Sequence, residues 1–159
     1  MRLKTRQLFT AGVTAAALIG TPVALSHMVK DEPLQSYRQS YFYLLAANFG
    51  PIGDMLKGKR PWDEAQLQAF ANDLASVAGA DVTRAFAPGS DKGTTRARPE
   101  IWENMDDFKA KFSDLQEAAM ALKAAAASGE KSAVGAAANE LGGACKACHD
   151  EYKSKDYLY

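Results

Sequence analysis

Residues 130–153 read EKSAVGAAANELGGACKACHDEYK, and this stretch decides the fold. Its apolar and small side chains recur at Val134, Ala138, Leu141, Cys145, Cys148 and Tyr152, in alternating steps of four and three. That is the one-face pattern of an amphipathic helix, not the period-two alternation of a strand. The alanines add intrinsic helix propensity. Both cysteines fall on the apolar face, so a helix from about Glu130 to about Lys153 turns its only thiols toward a partner.

The same stretch carries the chemistry. Cys145-Lys146-Ala147-Cys148-His149 is C-x-x-C-H, the attachment pattern of a c-type haem. Two thiols add across the two vinyl groups of one porphyrin, so both must reach one edge of the ring. On a helix, positions i and i+3 lie on one side, and i+4 points the same way, which delivers the His149 imidazole to the iron. One covalent haem c per chain is the expectation, with Cys145 and Cys148 as attachment points and His149 as the axial metal ligand. A thioredoxin-type pair needs a βαβ pattern that is absent here. Zinc wants about four ligands, and the chain offers two cysteines, His149 and only His27 besides. A disulfide between cysteines three apart on a helix closes an unhelpfully small loop.

Working outward, Ser128-Gly129 ends a third helix whose stripe is Trp102, Met105, Phe108, Phe112, Leu115, Ala119 and Leu122. Pro99 suits its first turn. Asp81 to Pro99 is the longest irregular piece, rich in Gly, Pro, Ser, Thr and Asp. A second helix carries Leu67, Phe70, Leu74 and Val77, with Asp63 and Gln66 in capping-box spacing. The first helix carries Leu34, Phe42, Leu45, Phe49, Ile52 and Leu56, with Arg38 interrupting the stripe. Gly50-Pro51 predicts a kink within it, and Lys57 to Pro61 close it. Four amphipathic helices with mostly short connections predict an all-α fold, an antiparallel up-down-up-down four-helix bundle around the covalent haem. The small side chains of the third and fourth helices leave room for it.

Residues 1–26 read differently. Arg2, Lys4 and Arg6 precede an apolar run from Leu8 to Ile19, and Ala24-Leu25-Ser26 supplies small residues for cleavage. The run is shorter than the ~20 residues a membrane-spanning helix needs. We read 1–26 as an export signal and 27–159 as one domain, placed in the periplasm and free of the membrane after cleavage. The whole chain has 19 basic and 19 acidic residues; three basic ones lie in the signal, leaving a net charge of −3 with histidines neutral. That mild acidity gives no clustered basic footprint for nucleic acid.

These features together resemble cytochrome c prime, the class II bacterial c-type cytochromes. The likeness rests on the C-terminal Cys145–His149 motif, Tyr37-Arg38-Gln39-Ser40, Phe49-Gly50 followed by the Lys57-Gly58 stop, and Arg98-Pro99-Glu100-Ile101-Trp102. Class I cytochromes carry the motif near the N-terminus and a methionine far downstream, whereas here only ten residues follow His149. The resemblance implies that Arg38 meets a haem propionate, a pairing a guanidinium suits; on residue grounds alone it either reaches solvent or meets a surface carboxylate. By the same likeness Gln39 is a second haem contact, Arg96, beside Thr95, approaches the haem edge, and Phe42 faces the iron's distal side. Low-spin relatives place a methionine there. Phenylalanine supplies no ligand, so the resemblance implies five-coordinate iron. Phe86 packs on the ring from the loop. Met28, Met55, Met105 and Met120 read as core filler, and His27 as solvated. Lys153 either tunes the proximal histidine or favours the helix dipole.

The implied activity is electron transfer with an unknown redox partner protein, binding of small gas ligands such as nitric oxide and carbon monoxide, or both. The alternative is dedicated nitric-oxide buffering or sensing. No enzyme active site is indicated. The first helix also shows a second apolar edge (Tyr37, Tyr41, Leu44), which with the family habit predicts a homodimer.

Overall fold

The computed structural model describes residues 32–156; the export-signal reading of 1–26, and the readings of His27 and Met28, lie outside the described residues. Helix α1 spans Pro33–Leu56, with proline in its first turn, where a missing N–H costs nothing. Pro51 lies inside it, and the helix continues through to Leu56. There Gly58, at φ +69°, turns the chain, and Lys57 N–H donates to the Gly53 carbonyl at 3.1 Å. A left-handed residue closes a helix most easily when it has no Cβ.

Helix α2, Glu64–Ala78, is capped by Asp63, whose carboxylate accepts from the Gln66 N–H at 3.0 Å. The Gln66 side chain returns to the same carboxylate at 2.8 Å, so the reciprocal bond runs between side chains. The loop that follows holds one 3-10 turn, Thr83–Ala85.

The predicted third helix is two helices. α3, Glu100–Glu103, stops at Asn104, and α4 runs Met105–Ser128. Asn104 leaves helical geometry (φ −126°, ψ 46°), and its amide donates back to the Glu100 carbonyl at 3.2 Å. Side-chain bonds to nearby backbone of this kind compete with helix continuation. The break lets α3 stand apart and seat Ile101 in the core. Gly129, at φ +71°, ends α4, and α5 spans Lys131–Tyr152.

α1 packs on α2, α2 on α4 and α4 on α5, the sequential order of an up-down-up-down four-helix bundle. α1 and α5 scarcely meet. The core therefore closes on three sides, around Ile52, Leu67, Leu74, Ala119 and Leu122, and stays open on the fourth. Among the described residues there is no strand, only one isolated antiparallel bridge between Ala97 and Lys153. No helix among them is long and apolar enough to cross a membrane.

Two surface expectations need correction. Tyr41 does not sit on an outer edge: it is 5% exposed, and its hydroxyl donates to the Ala78 carbonyl at 3.2 Å. The exposed apolar pair on α1 is Tyr43 and Leu44, at 72% and 47%. Met120 is exposed on α4, not core, whereas Met55 is fully buried.

Candidate functional site

The open side of the bundle is a cavity of about 360 Å³ between α1, α4 and α5, edged by the loop around Phe86 and Thr95–Ala97. Its size falls within the ordinary range of small-molecule pockets. The α5 wall presents Leu141, Cys145, Cys148, His149 and Tyr152. Steps of three and four along α5 bring these side chains to one face. The α1 wall presents Phe42, Leu45, Ala46 and Phe49, and the floor comes from Leu74 on α2 with Phe112, Leu115 and Ala119 on α4.

Electrostatics on the α5 wall follow from burial. Both cysteines are unpaired and half-buried. Burial pushes the Cys148 thiol up to about 11, with Lys111 partly opposing it, and raises Cys145 as well. His149, although exposed as a residue at the cavity mouth, is held below the usual histidine range, first by partial desolvation where its ring meets the wall and then by Lys153 and Arg96, with Asp150 opposing. A neutral imidazole keeps the lone pair that metal ligation needs. Tyr152 stands edge-on to Phe108 at 5.4 Å and donates to Asp107 at 2.6 Å.

The cavity edge is organised by α1. Arg38 is buried, yet neither a surface carboxylate nor solvent takes its charge. Its Nη1 donates to the Ala85 carbonyl and the Ser90 hydroxyl, each at 3.0 Å, and its Nη2 to the Ser90 carbonyl at 2.8 Å. The guanidinium also lies 4.7 Å from the Phe86 ring centre and 5.7 Å from that of Trp102. Both contacts are within cation–π range. Gln39 donates to the Thr94 carbonyl, and Gln35 to that of Lys92, each at 2.7 Å. Arg38 and Gln39 thus line the cavity while holding the loop that covers it.

Arg96 and Lys153 also line the cavity, where a short tie joins loop and C-terminus. Arg96 Nε donates to the Ser154 carbonyl at 2.9 Å and Nη2 to that of Lys155. Arg98 N–H donates to the Tyr152 carbonyl at 3.0 Å. Phe86 is buried on the cavity edge. No methionine lines the cavity.

Sequence reasoning missed Lys111, which lines the cavity and pairs with Glu151 at 3.3 Å and Asp107 at 3.6 Å. Its signal was its place three residues after Phe108 on the α4 stripe. It also missed Ser90, whose only sign was the turn chemistry of Pro88-Gly89 before it.

The residues present fit a covalently held haem. The cavity is almost wholly apolar, two thiols and an imidazole converge from one wall, and the charged side chains lining it (Arg38, Arg96, Lys111, Lys153) are all cationic, which suits a flat apolar ring bearing two carboxylates.

Comparison with known proteins agrees. The family model described as Cytochrome C' matches residues 34–153. Cytochrome c' of Cereibacter sphaeroides is 37% identical over 146 residues, covering 90% of this chain and 97% of that protein. Among solved structures, the nitric oxide complex of a point variant of cytochrome c prime from Alcaligenes xylosoxidans superposes with a TM-score of 0.72 at 39% identity, covering 80% of this chain and 99% of that one. A second variant of that protein carries bound carbon monoxide. A further cytochrome c', described for ligand-controlled dimer dissociation, has a TM-score of 0.74 at 32% identity and covers 80% and 99% of the two chains. Because the match runs unbroken from the first turn of α1 through Cys145–His149, the chain belongs to the cytochrome c' family, whose members bind haem c covalently.

Proposed function

We propose that this is a periplasmic haem c protein with five-coordinate iron, whose cavity binds nitric oxide, carbon monoxide and similar small ligands. In this reading Cys145 and Cys148 form the thioether links and His149 is the axial ligand. The observation that carries it is the α1 wall. Gln35, Arg38 and Gln39 at its start are bonded to the covering loop, and the other side chains it gives the cavity (Phe42, Leu45, Ala46, Phe49) offer no ligand for iron. Bound haem supplies a redox-active iron and, where a coordination position is vacant, a site for diatomic ligands. The chain's own contribution is to hold His149 neutral, to keep water off the apolar walls, and to crowd the vacant side with the Phe42 ring.

One relative, whose point variants hold nitric oxide and carbon monoxide in solved structures, supports the same reading. Titrating the ferrous holoprotein with nitric oxide and with carbon monoxide, followed by optical spectra, tests it. Saturable binding of both is expected. A ferrous protein inert to both overturns it.

Electron transfer is a second use, favoured by one observation: His149 is exposed beside the cavity mouth, with Arg96 and Lys153 around it. A ligand side chain that solvent reaches is also within reach of a partner protein. Export to the periplasm rests on the 1–26 pattern. A homodimer is supported by the exposed Tyr43 and Leu44 and by the dimer of one relative. Sedimentation as a monomer at micromolar concentration contradicts it.

A further inference from the structure

Phe42 is only the visible half of the α1 wall. Consecutive side chains on a helix diverge by about 100°, so Tyr41 points into the bundle while Phe42 points into the cavity. Their rings nevertheless meet edge to face, 5.2 Å apart at 89°. Tyr41 is the place where the rigid core touches the side chain that crowds the vacant position.

Tyr41 is itself held from two other directions. Its hydroxyl donates to the Ala78 carbonyl, the last residue of α2, a group that helix geometry leaves without an internal partner. The Gln116 side chain of α4 donates to the same oxygen at 2.8 Å. Behind the ring stands Phe112, 6.1 Å away, which also lines the cavity floor. One carbonyl, that of Ala78, therefore ties three helices together at the back of the cavity wall, with the Tyr41 hydroxyl as the α1 donor.

We propose that Tyr41 is a positioning residue for the gate: tethered to the end of α2, its ring fixes the orientation of Phe42 and so limits how readily a ligand enters beside it. The inference rests on the ligand-binding reading above and deepens it. A Phe42 ring that must swing aside meets an edge-on neighbour that is unable to yield while its hydroxyl is bound. Removing only the hydroxyl leaves core volume unchanged and lets the Tyr41 ring pivot. The Ala78 carbonyl keeps its Gln116 donor, so Tyr41→Phe leaves no orphaned buried group.

The test is a double-mutant cycle on the ferrous holoprotein, read by the association rate of carbon monoxide after rapid mixing. Wild type, Tyr41→Phe, Phe42→Ala and the double variant are compared, with melting temperatures recorded alongside. Tyr41→Phe should speed carbon monoxide binding by roughly three- to tenfold, the scale of one aromatic edge contact. In the Phe42→Ala background the same substitution should change the rate by less than about twofold, because the ring it positions is gone. A merely structural tyrosine lowers the melting temperature in both backgrounds and leaves the rate alone; that result overturns the proposal, as does an equal rate effect in both. If Phe42→Ala itself leaves carbon monoxide binding unchanged, the gate reading falls together with this one, so the two failures are told apart by which variant is silent.

Discussion

The two walls of the cavity face each other across the same space and are built from opposite chemistries. α5 presents two thiols and an imidazole on one helical face; α1 presents Phe42, Leu45, Ala46 and Phe49. Both are regular helices of similar length with similar apolar periodicity. What differs is the presence of side chains able to attach a haem or ligate its iron. In the proposed reading one wall delivers ligation and the other withholds it, which would leave an iron held between them without a protein ligand on its α1 side. The lesson is that a site can be defined as much by what one helix leaves out as by what its partner supplies.

The largest effect comes from stripping the α5 wall. Cys145→Ala with Cys148→Ala should abolish covalent haem, so acid–acetone extraction removes all pigment from the variant and none from wild type. Making the walls alike is the next test. Phe42→Met gives α1 a thioether opposite His149 and should convert the ferric spectrum to low-spin. Phe42→Ala should instead raise carbon monoxide affinity on the order of tenfold to a hundredfold, since a packed ring no longer has to be displaced.

Smaller effects come from the parts that join the walls. Arg38→Met leaves the Ala85 and Ser90 carbonyls without their donor and removes two cation–π contacts. Thermal or denaturant unfolding should show a loss of about 2–4 kcal/mol, with hydrogen exchange accelerating first in residues 85–95. The smallest effect belongs to Asp63, which is far from either wall. Asp63→Ala should lower the melting temperature by a few degrees at most and leave ligand binding untouched. The Gln66 backbone and side-chain bonds hold the Asp63 carboxyl below the usual aspartate range. Its folded-state pKa is depressed, so its contribution is complete above the unfolded value and fades as pH falls through the folded one. The difference between wild type and Asp63→Ala should accordingly vanish in strong acid.

What was legible in the sequence follows the same division. The α5 wall could be read residue by residue, because cysteine and histidine are rare here and their spacing encodes their geometry. The α1 wall was harder. Its buried residues are Arg38, Tyr41, Leu45, Ile52 and Met55, of which Arg38 and Leu45 share the cavity lining with Phe42, Ala46 and Phe49. Hydrophobic periodicity merges these two adjoining faces into one stripe, since a side chain facing a cavity and one facing the core are equally apolar. With that single stripe assigned to the inside, Tyr41, which falls beside it, reads as an outer edge instead of a core position. Arg38 announced itself as a charge inside an apolar stripe, but its partners lie about fifty residues away in an irregular loop, where no periodicity exists to place them. The stop at Asn104 was invisible for a different reason. Nothing in an apolar stripe shows that the Asn104 side chain will join its own backbone N–H on the Glu100 carbonyl while the backbone there leaves helical geometry.

The central claim, that α1 withholds the ligand α5 invites, is tested most directly by the spin state of the ferric wild-type holoprotein. Electron paramagnetic resonance and the optical spectrum should both report a high-spin haem with His149 as its only protein axial ligand. A six-coordinate, low-spin ferric spectrum at neutral pH would mean that a side chain does reach the iron from the α1 side, and would contradict the account.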